Sequence, residues 1–322
     1  MRFLQKTNID FMARRKLWYG VSLVVIVLGL ISLVVKGVDL GIDFLGGTEL
    51  VIEFDQAPGI GQIRDIMNAA GIPPAEIKSY GNPEQILIRT ELQGEGTIVS
   101  DRMKAAMQET FASYNPRVLQ EIKIGPKIGK ELQKDAVYAI LFSLIAMFIY
   151  IGFRFKFIYG MGAVVALFHD VLVTLGIISI VDGLTPLTNF EIDQNMIAAF
   201  LTLVGTSVND TVVIFDRIRE NQKIYKAMGL MELINKSLNQ TLSRTIITQG
   251  TIFAVILVLF LLGGEVNRGF AFALALGTVT GTYSSIYIAS ALVLDYTNRK
   301  LAKKSQPSVT RKVSYETIEQ GS

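Results

Sequence analysis

Hydrophobic residues along this 322-residue chain gather in six long runs rather than in short alternating ones. A helix needs roughly 20 apolar residues to cross about 30 Å of hydrocarbon. The six runs that qualify are 17–35, 136–152, 157–181, 195–215, 244–262 and 270–294. Backbone groups find no water in lipid, so each run must be a helix or part of a closed barrel. Period-two alternation is absent from these runs, which selects helices. The first run is longer than a signal-peptide core and no small-x-small site follows it, so it is expected to stay as an anchor.

Only one long segment lies between spans, from about 38 to 130, and its pattern changes to short elements. Residues 48–54 predict a strand with Leu50, Ile52 and Phe54 on one face. Residues 60–70 predict a helix, closed by Gly71, Pro73 and Pro74. Two strands follow at 76–80 and 85–90, joined through Gly81, Asn82 and Pro83. A second helix over 97–113 carries a modest apolar face read on Ile98, Arg102, Ala105, Ala106 and Glu109, and a last strand at 118–124 ends in Gly125 and Pro126. The order is βαββαβ, a ferredoxin-like α+β arrangement. The expected architecture is an α-helical polytopic membrane protein. It has an arm at 1–16, a first span at 17–35, an α+β domain at 36–131, five further spans within 132–297, and a basic tail at 298–322 expected to be flexible.

Charge gives the spans an orientation. Lys and Arg concentrate in short loops on the cytoplasmic side. Arg14, Arg15 and Lys16 precede the first span, Arg154 and Lys156 separate the second from the third, and Arg217, Arg219, Lys223, Lys226 and Lys236 follow the fourth. Arg299, Lys300, Lys303 and Lys304 follow the sixth. With six spans all of these fall on one side, whereas 182–193 contains neither Lys nor Arg and 263–269 contains only Arg268. Both termini are therefore expected in the cytoplasm and the large loop outside. Composition agrees with a bilayer: half the residues are hydrophobic, and the mean hydropathy is +0.42. The net charge of +3 says little about partners. The chain has no cysteine and one histidine, which excludes disulfides, thiolate chemistry and a multi-histidine metal site.

No hydrolase or nucleotide-binding motif is complete. Gly125-Pro-Lys-Ile-Gly129-Lys130 is one residue short of a phosphate loop, and Glu131 stands where Ser or Thr is needed. It is expected to be a loop entering the second span. Neither H-E-x-x-H nor G-x-S-x-G occurs. The reading is of a protein that is not an enzyme and holds no cofactor or metal.

Ionisable residues at membrane depth carry the remaining information, because they are costly and face a protein interior or a water path. Asp210 lies in the fourth span, roughly 8–9 Å short of its cytoplasmic end at 1.5 Å per residue. Thr202, Thr206 and Asp210 share a face, with Ser207 and Asn209 beside them. Arg244 opens the fifth span at a compatible depth, and Thr248 and Thr251 continue its face. The two charges fit a switchable proton site, a static ion pair, or an arginine snorkelling to the interface. His169, Asp170 and Thr174 in the third span fit a proton relay or a hydrogen-bonded pair between helices. Asp216 and Arg217 read as a cap or an interfacial anchor. Gly277 and Gly281 form a G-x-x-x-G suited to close packing, within the chain or with a partner.

Three motifs together resemble the SecD/SecF family of bacterial protein export. They are Gly41-Ile-Asp43-Phe-Leu-Gly46-Gly47-Thr48, the stretch from Leu203 to Asn221 containing Thr206, Asn209 and Asp210, and Leu242-Ser-Arg244-Thr-Ile-Ile-Thr248. The resemblance covers the chain except for the tail after Asn298. It implies half of a twelve-helix unit of the resistance–nodulation–division type, in the bacterial cytoplasmic membrane. It further implies a SecD partner, the SecYEG channel with YajC as a further candidate, an unfolded secretory polypeptide as cargo, and protons as the driving ion. The family's functional aspartate falls on Asp210 and its functional arginine on Arg244. The competing readings are half of a small-molecule exporter of the same superfamily, a structural scaffold and, more remotely, an intramembrane hydrolase.

Overall fold

Arg15–Lys36 (α1) is the first helix, ended by Gly37 at φ +81°. It belongs to a computed structural model that describes residues 7–305 apart from 75, 93, 95, 156, 186, 187 and 189. Lys156 and the tail beyond residue 305 lie outside the described residues.

The α+β domain follows as Ile42–Leu45 (α2), Gly47–Glu53 (β1), Ile60–Ala69 (α3), Glu76–Tyr80 (β2), Asn82–Thr90 (β3), Ile98–Thr110 (α4) and Arg117–Ile124 (β4). The sheet order is β2-β3-β1-β4 and every neighbouring pair is antiparallel. That is the split βαββαβ topology expected from the element order. Leu50, Ile52, Phe54, Ile86 and Ile88 project from the sheet onto Ile63 and Met67 of α3 and Val99, Met103 and Met107 of α4. The face of α4 differs from expectation. The buried positions are Val99, Met103 and Met107, spaced by four, while Ile98 and Arg102 are exposed. Two methionines supply the apolar stripe that a search for aliphatic residues passes over.

Among the described residues five longer helical elements follow: Pro126–Arg154 (α5), Phe157–Val181 (α6), Gln194–Ile224 (α7), Leu230–Leu262 (α8), and a last span made of Gly264–Ser284 (α9), a π turn at Ser285–Ala289, and Ser290–Ser305 (α10). With α1 there are six helices long and apolar enough to cross a membrane among the described residues. The helices outrun their apolar runs because hydrogen bonding continues past the hydrocarbon. The supposed loop at 125–130 is helix: Pro126 sits at the first helical position, where its missing N–H costs nothing. Residue 244 is mid-helix, since α8 begins at Leu230 and its first turns bury Leu233, Ile234 and Leu238 against Phe11 and Met12. The expected flexible tail is helical as far as Ser305, with Arg15 pairing to Asp295 at 2.9 Å in the same helix.

The G-x-x-x-G packs within the chain. A Cβ on Gly277 would sit 1.9 Å from Leu203 Cδ1, and one on Gly281 would sit 3.0 Å from Ser207 Cβ. The α9 backbone thus lies against α7, beside the segment that carries Asp210.

Candidate functional site

Among the described residues two buried carboxylates lie in the helix bundle, and their surroundings differ. Asp170 on α6 is fully buried. Its Oδ2 accepts from Ser207 Oγ of α7 at 2.7 Å and from Ser284 Oγ of α9 at 2.8 Å, and its Oδ1 lies 3.0 Å from His169 Nδ1. Against an ionised carboxylate, which only accepts, that imidazole nitrogen carries the hydrogen, and in a neutral ring Nε2 is then the acceptor. Tyr283 OH lies 2.7 Å and Ser22 Oγ 2.9 Å from that Nε2. The network ties α1, α6, α7 and α9 together. Thr174 points to Thr280 at 3.5 Å, at the edge of bonding distance. The π turn follows at once, with Ser285 Oγ 2.8 Å from Thr211 Oγ1.

Asp210 sits on α7, one turn past Ser207, and is 3% exposed. The expected direct pair with Arg244 is not formed. Gln249 Nε2 of α8 donates to Asp210 Oδ2 at 2.6 Å, and Asp210 has no ion pair among the described residues. Arg244 is exposed on this chain and acts on Asp210 only through space. The reason is helical phase: five residues separate Arg244 from Gln249, about 140° around the axis. One faces the bundle interior and the other faces away. Gln249 was not singled out from sequence, although a glutamine inside an apolar span is the signal that could have found it.

The rest of the polar stripe is also turned outward. Thr202 and Asn209 are exposed and Thr206 is half-buried. The two threonines bond to their own helix, Thr202 to Ala198 O at 2.8 Å and Thr206 to Leu203 O at 3.1 Å. On α8, Thr251 bonds Thr248 O at 2.8 Å. Asp216 and Arg217 make surface ion pairs, Asp216 with Arg154 at 3.3 Å and Arg217 with Glu220 at 3.0 Å, of the kind that adds little stability.

The glycine motif joins the α+β domain to α7. Gly46 and Gly47 have φ of +74° and +132°, and a Cβ on Gly47 would lie 2.3 Å from Thr90 O. Only glycine fits this turn into β1, which then places the buried Thr48 opposite Thr90 and Lys123. Gly41 donates its N–H to Ile192 O at 2.9 Å, and its absent Cβ leaves room for Asp193. Asp43 accepts from Gln194 N at 3.0 Å, and Asp193 caps the helix by accepting from Met196 N at 2.7 Å. Two carboxylates at a helix N-terminus are favoured by the open N–H groups and the helix dipole. Burial pushes the Asp193 carboxyl up, with the nearby Asp43 charge adding to it and the capping bond opposing.

A second junction lies on the open face of the sheet. Arg89 of β3 is buried and contacts Glu49 at 2.8 Å, Glu76 at 2.9 Å, and Glu191 from the segment before α7. Lys78 of β2 pairs with Glu76 at 2.8 Å and also with Glu191. Burial opposes ionisation of Glu191, but Lys78 and Arg89 outweigh it and hold its carboxyl below the ordinary range. Asp39, Glu76 and Glu191 bring carboxylate oxygens within 4.8 Å of one another. Asp39 is exposed as a residue, yet its carboxyl is crowded: loss of solvent first, then the Glu76 and Glu191 charges, push it up to about 6.

The arrangement combines a nearly isolated acid in the bundle with a helix clamped at its far end to a folded domain, an architecture with known counterparts. Residues 102–299 match the family described as protein export membrane protein SecD/SecF, C-terminal, and residues 31–58 match the SecD/SecF GG motif. The chain belongs to the SecD/SecF family. The protein translocase subunit SecF of Rhodothermus marinus is 46% identical over 304 residues, covering 94% of this chain and 98% of that relative. The subunit of the same description from Thermodesulfovibrio yellowstonii is 41% identical over 309 residues, covering 94% of this chain and all of that relative. The crystal structure of SecDF from Thermus thermophilus, described as a translocon-associated membrane protein, superposes with a TM-score of 0.81 at 35% identity over 93% of this chain. A SecDF structure in a super-membrane-facing form gives 0.69 at 33% identity over 94% of this chain. The chain spans 40% of the length of each of these SecDF chains. The stretch matched to the SecD/SecF GG motif contains the pair Gly46–Gly47 at the domain junction.

Proposed function

We propose that this chain is the SecF half of a SecD–SecF unit that draws on the proton-motive force to assist protein translocation after SecYEG. The observation that carries the proposal is Asp210: a carboxylate buried at membrane depth and held, among the described residues, by one side-chain hydrogen bond, with the Arg244 charge nearby and in no ion pair there. Such a group gains or loses a proton without dismantling the fold around it. Its helix, α7, begins at the junction with the α+β domain, about 24 Å away at 1.5 Å per residue. A shift of α7 is therefore felt by Asp43, Asp193 and Glu191, and through them by the sheet.

SecD is the partner this surface fits. Thr202, Asn209, Arg244 and Thr251 lie on exposed faces of α7 and α8, and lipid is a poor neighbour for an arginine and an asparagine at that depth. The basic loops favour an orientation with both termini in the cytoplasm and the α+β domain outside the bacterial inner membrane, where it would meet the emerging polypeptide, with YajC a further candidate contact. One charge crossing about 100 mV supplies about 2.3 kcal/mol, enough to bias two states separated by a few kcal/mol.

The test is Asp210→Asn in the assembled complex, assayed for proton-dependent export at normal membrane levels. A loss of at least about tenfold is expected, and Arg244→Gln should behave alike. Wild-type export by Asp210→Asn, or by the double neutral variant, would favour the scaffold reading and end the proposal.

A further inference from the structure

Gln249 is the hydrogen-bond partner of Asp210, and half of its amide is unused. Nε2 donates to Asp210 Oδ2 at 2.6 Å, while Oε1 is buried with no partner among the described residues. The residue is 6% exposed, so solvent does not make good the missing bond. Buried polar atoms are nearly always satisfied, and an exception asks for an explanation. The chemistry of the pair supplies one. An ionised carboxylate has acceptors only, so an amide facing it must present its nitrogen and strand its oxygen. A protonated carboxyl has an O–H to give. After a small rotation of the amide it can donate to Oε1 while its carbonyl accepts from Nε2. Two bonds then replace one, and the stranded oxygen is satisfied.

We infer that Gln249 is a positioning residue for proton coupling, holding the Asp210 carboxylate by one bond and closing a two-bond acid–amide pair when Asp210 takes up a proton. This rests on the proposed role of Asp210. In the step, a proton from the medium forms an O–H bond on one carboxylate oxygen, no other covalent bond changes, and the site becomes more positive by one charge. Arg244, the charged group acting on Asp210, loses its attraction at the same moment. Protonation thus tightens the contact between α7 and α8 at Gln249 and removes the through-space pull of Arg244. An asparagine at this position, one methylene shorter, would not reach both oxygens. A leucine or methionine would fill the space without either bond.

The experiment is infrared difference spectroscopy of the full chain reconstituted with its SecD partner, between neutral and acidic pH, alongside proton-driven export. Wild type should show a carboxylic C=O band on acidification that disappears in Asp210→Asn. In Gln249→Leu, and in Gln249→Met as a second variant closer in volume, that band should persist but move to higher frequency, because its oxygen has lost the Nε2 donor. Export should fall by about tenfold in both, the size of one lost charge-assisted hydrogen bond. A band unmoved in both variants but abolished by Asp210→Asn overturns the role of Gln249 and leaves that of Asp210 standing. A band that survives Asp210→Asn overturns both.

Discussion

Asp170 and Asp210 are aspartates on neighbouring helices of one bundle, and they are built for opposite behaviour. Asp170 has Ser207, Ser284 and His169 around its two oxygens, and the histidine is held in turn by Ser22 and Tyr283. Every lone pair that matters has a donor, and the network spans four helices. Asp210 has, among the described residues, Gln249 as its one side-chain hydrogen-bond partner. Loss of a saturated buried carboxylate would leave several polar partners unsatisfied. An acid with one partner can change state cheaply. The same contrast recurs at the domain junction, where Glu191 is held by Lys78 and Arg89 while Asp39, close by, makes no ion pair among the described residues. In both layers a locked acid sits near a loose one. The locked members fix the geometry around the loose ones.

Breaking the locks should have the larger effects on stability. Asp170→Ala strands two hydroxyl donors and a histidine N–H in the bundle core, and is expected to cost about 2–5 kcal/mol. Thermal unfolding in detergent checks this, with Asp210→Asn as the contrast, expected within about 1 kcal/mol of wild type. Equal losses for the two would erase the distinction between them. At the junction, Glu191→Gln leaves Lys78 and Arg89 short of one negative charge. A cost of about 1–3 kcal/mol is expected. Faster hydrogen exchange in β2 and β3, with α6 and α7 unchanged, would place that loss at the junction.

The smallest effect tests the loose member outside the membrane. The Asp39 carboxyl titrates near 6 in the fold, against 3.8 ordinarily. The folded state therefore binds more protons at this group between these values, so the contribution of Asp39 to stability is fullest below about pH 4 and is lost as pH rises through about 6. Asp39→Asn should remove that slope and leave the protein slightly more stable than wild type at neutral pH. Because the residue is exposed, the shift in melting temperature is expected to be about 1–2 °C. An unchanged slope in the variant would assign the titration to another group.

Much of this was legible in the chain. The six spans, the βαββαβ order and the core residues Leu50, Ile52 and Phe54 follow from local periodicity, and the structure has them. The ends of helices were less legible. Nothing in a hydropathy run marks the turns of α8 before Arg244 or the turn of α5 that starts at Pro126, because helical hydrogen bonding does not stop where apolar residues do. Within the site, Asp210 stands out in sequence as a charge in an apolar run, whereas Gln249 is neutral and raises no alarm.

What sequence alone determines here is periodic or compositional: how many helices cross, what the external domain is made of, and which charges lie at membrane depth. These are properties of single segments in a given solvent, so neighbouring residues suffice to express them. Partnership was decided only by tertiary structure. Depth made Asp210 and Arg244 look like a pair, but the rotation of α8 about its axis turns Gln249 inward and Arg244 outward. The same holds for Arg89 and Glu191, which are 102 residues apart and meet only because the glycine turn at Gly46–Gly47 sets the sheet down on the end of α7. Hydropathy reports how far along a helix a residue lies. Which way it faces, and what stands opposite, depends on how all six helices pack.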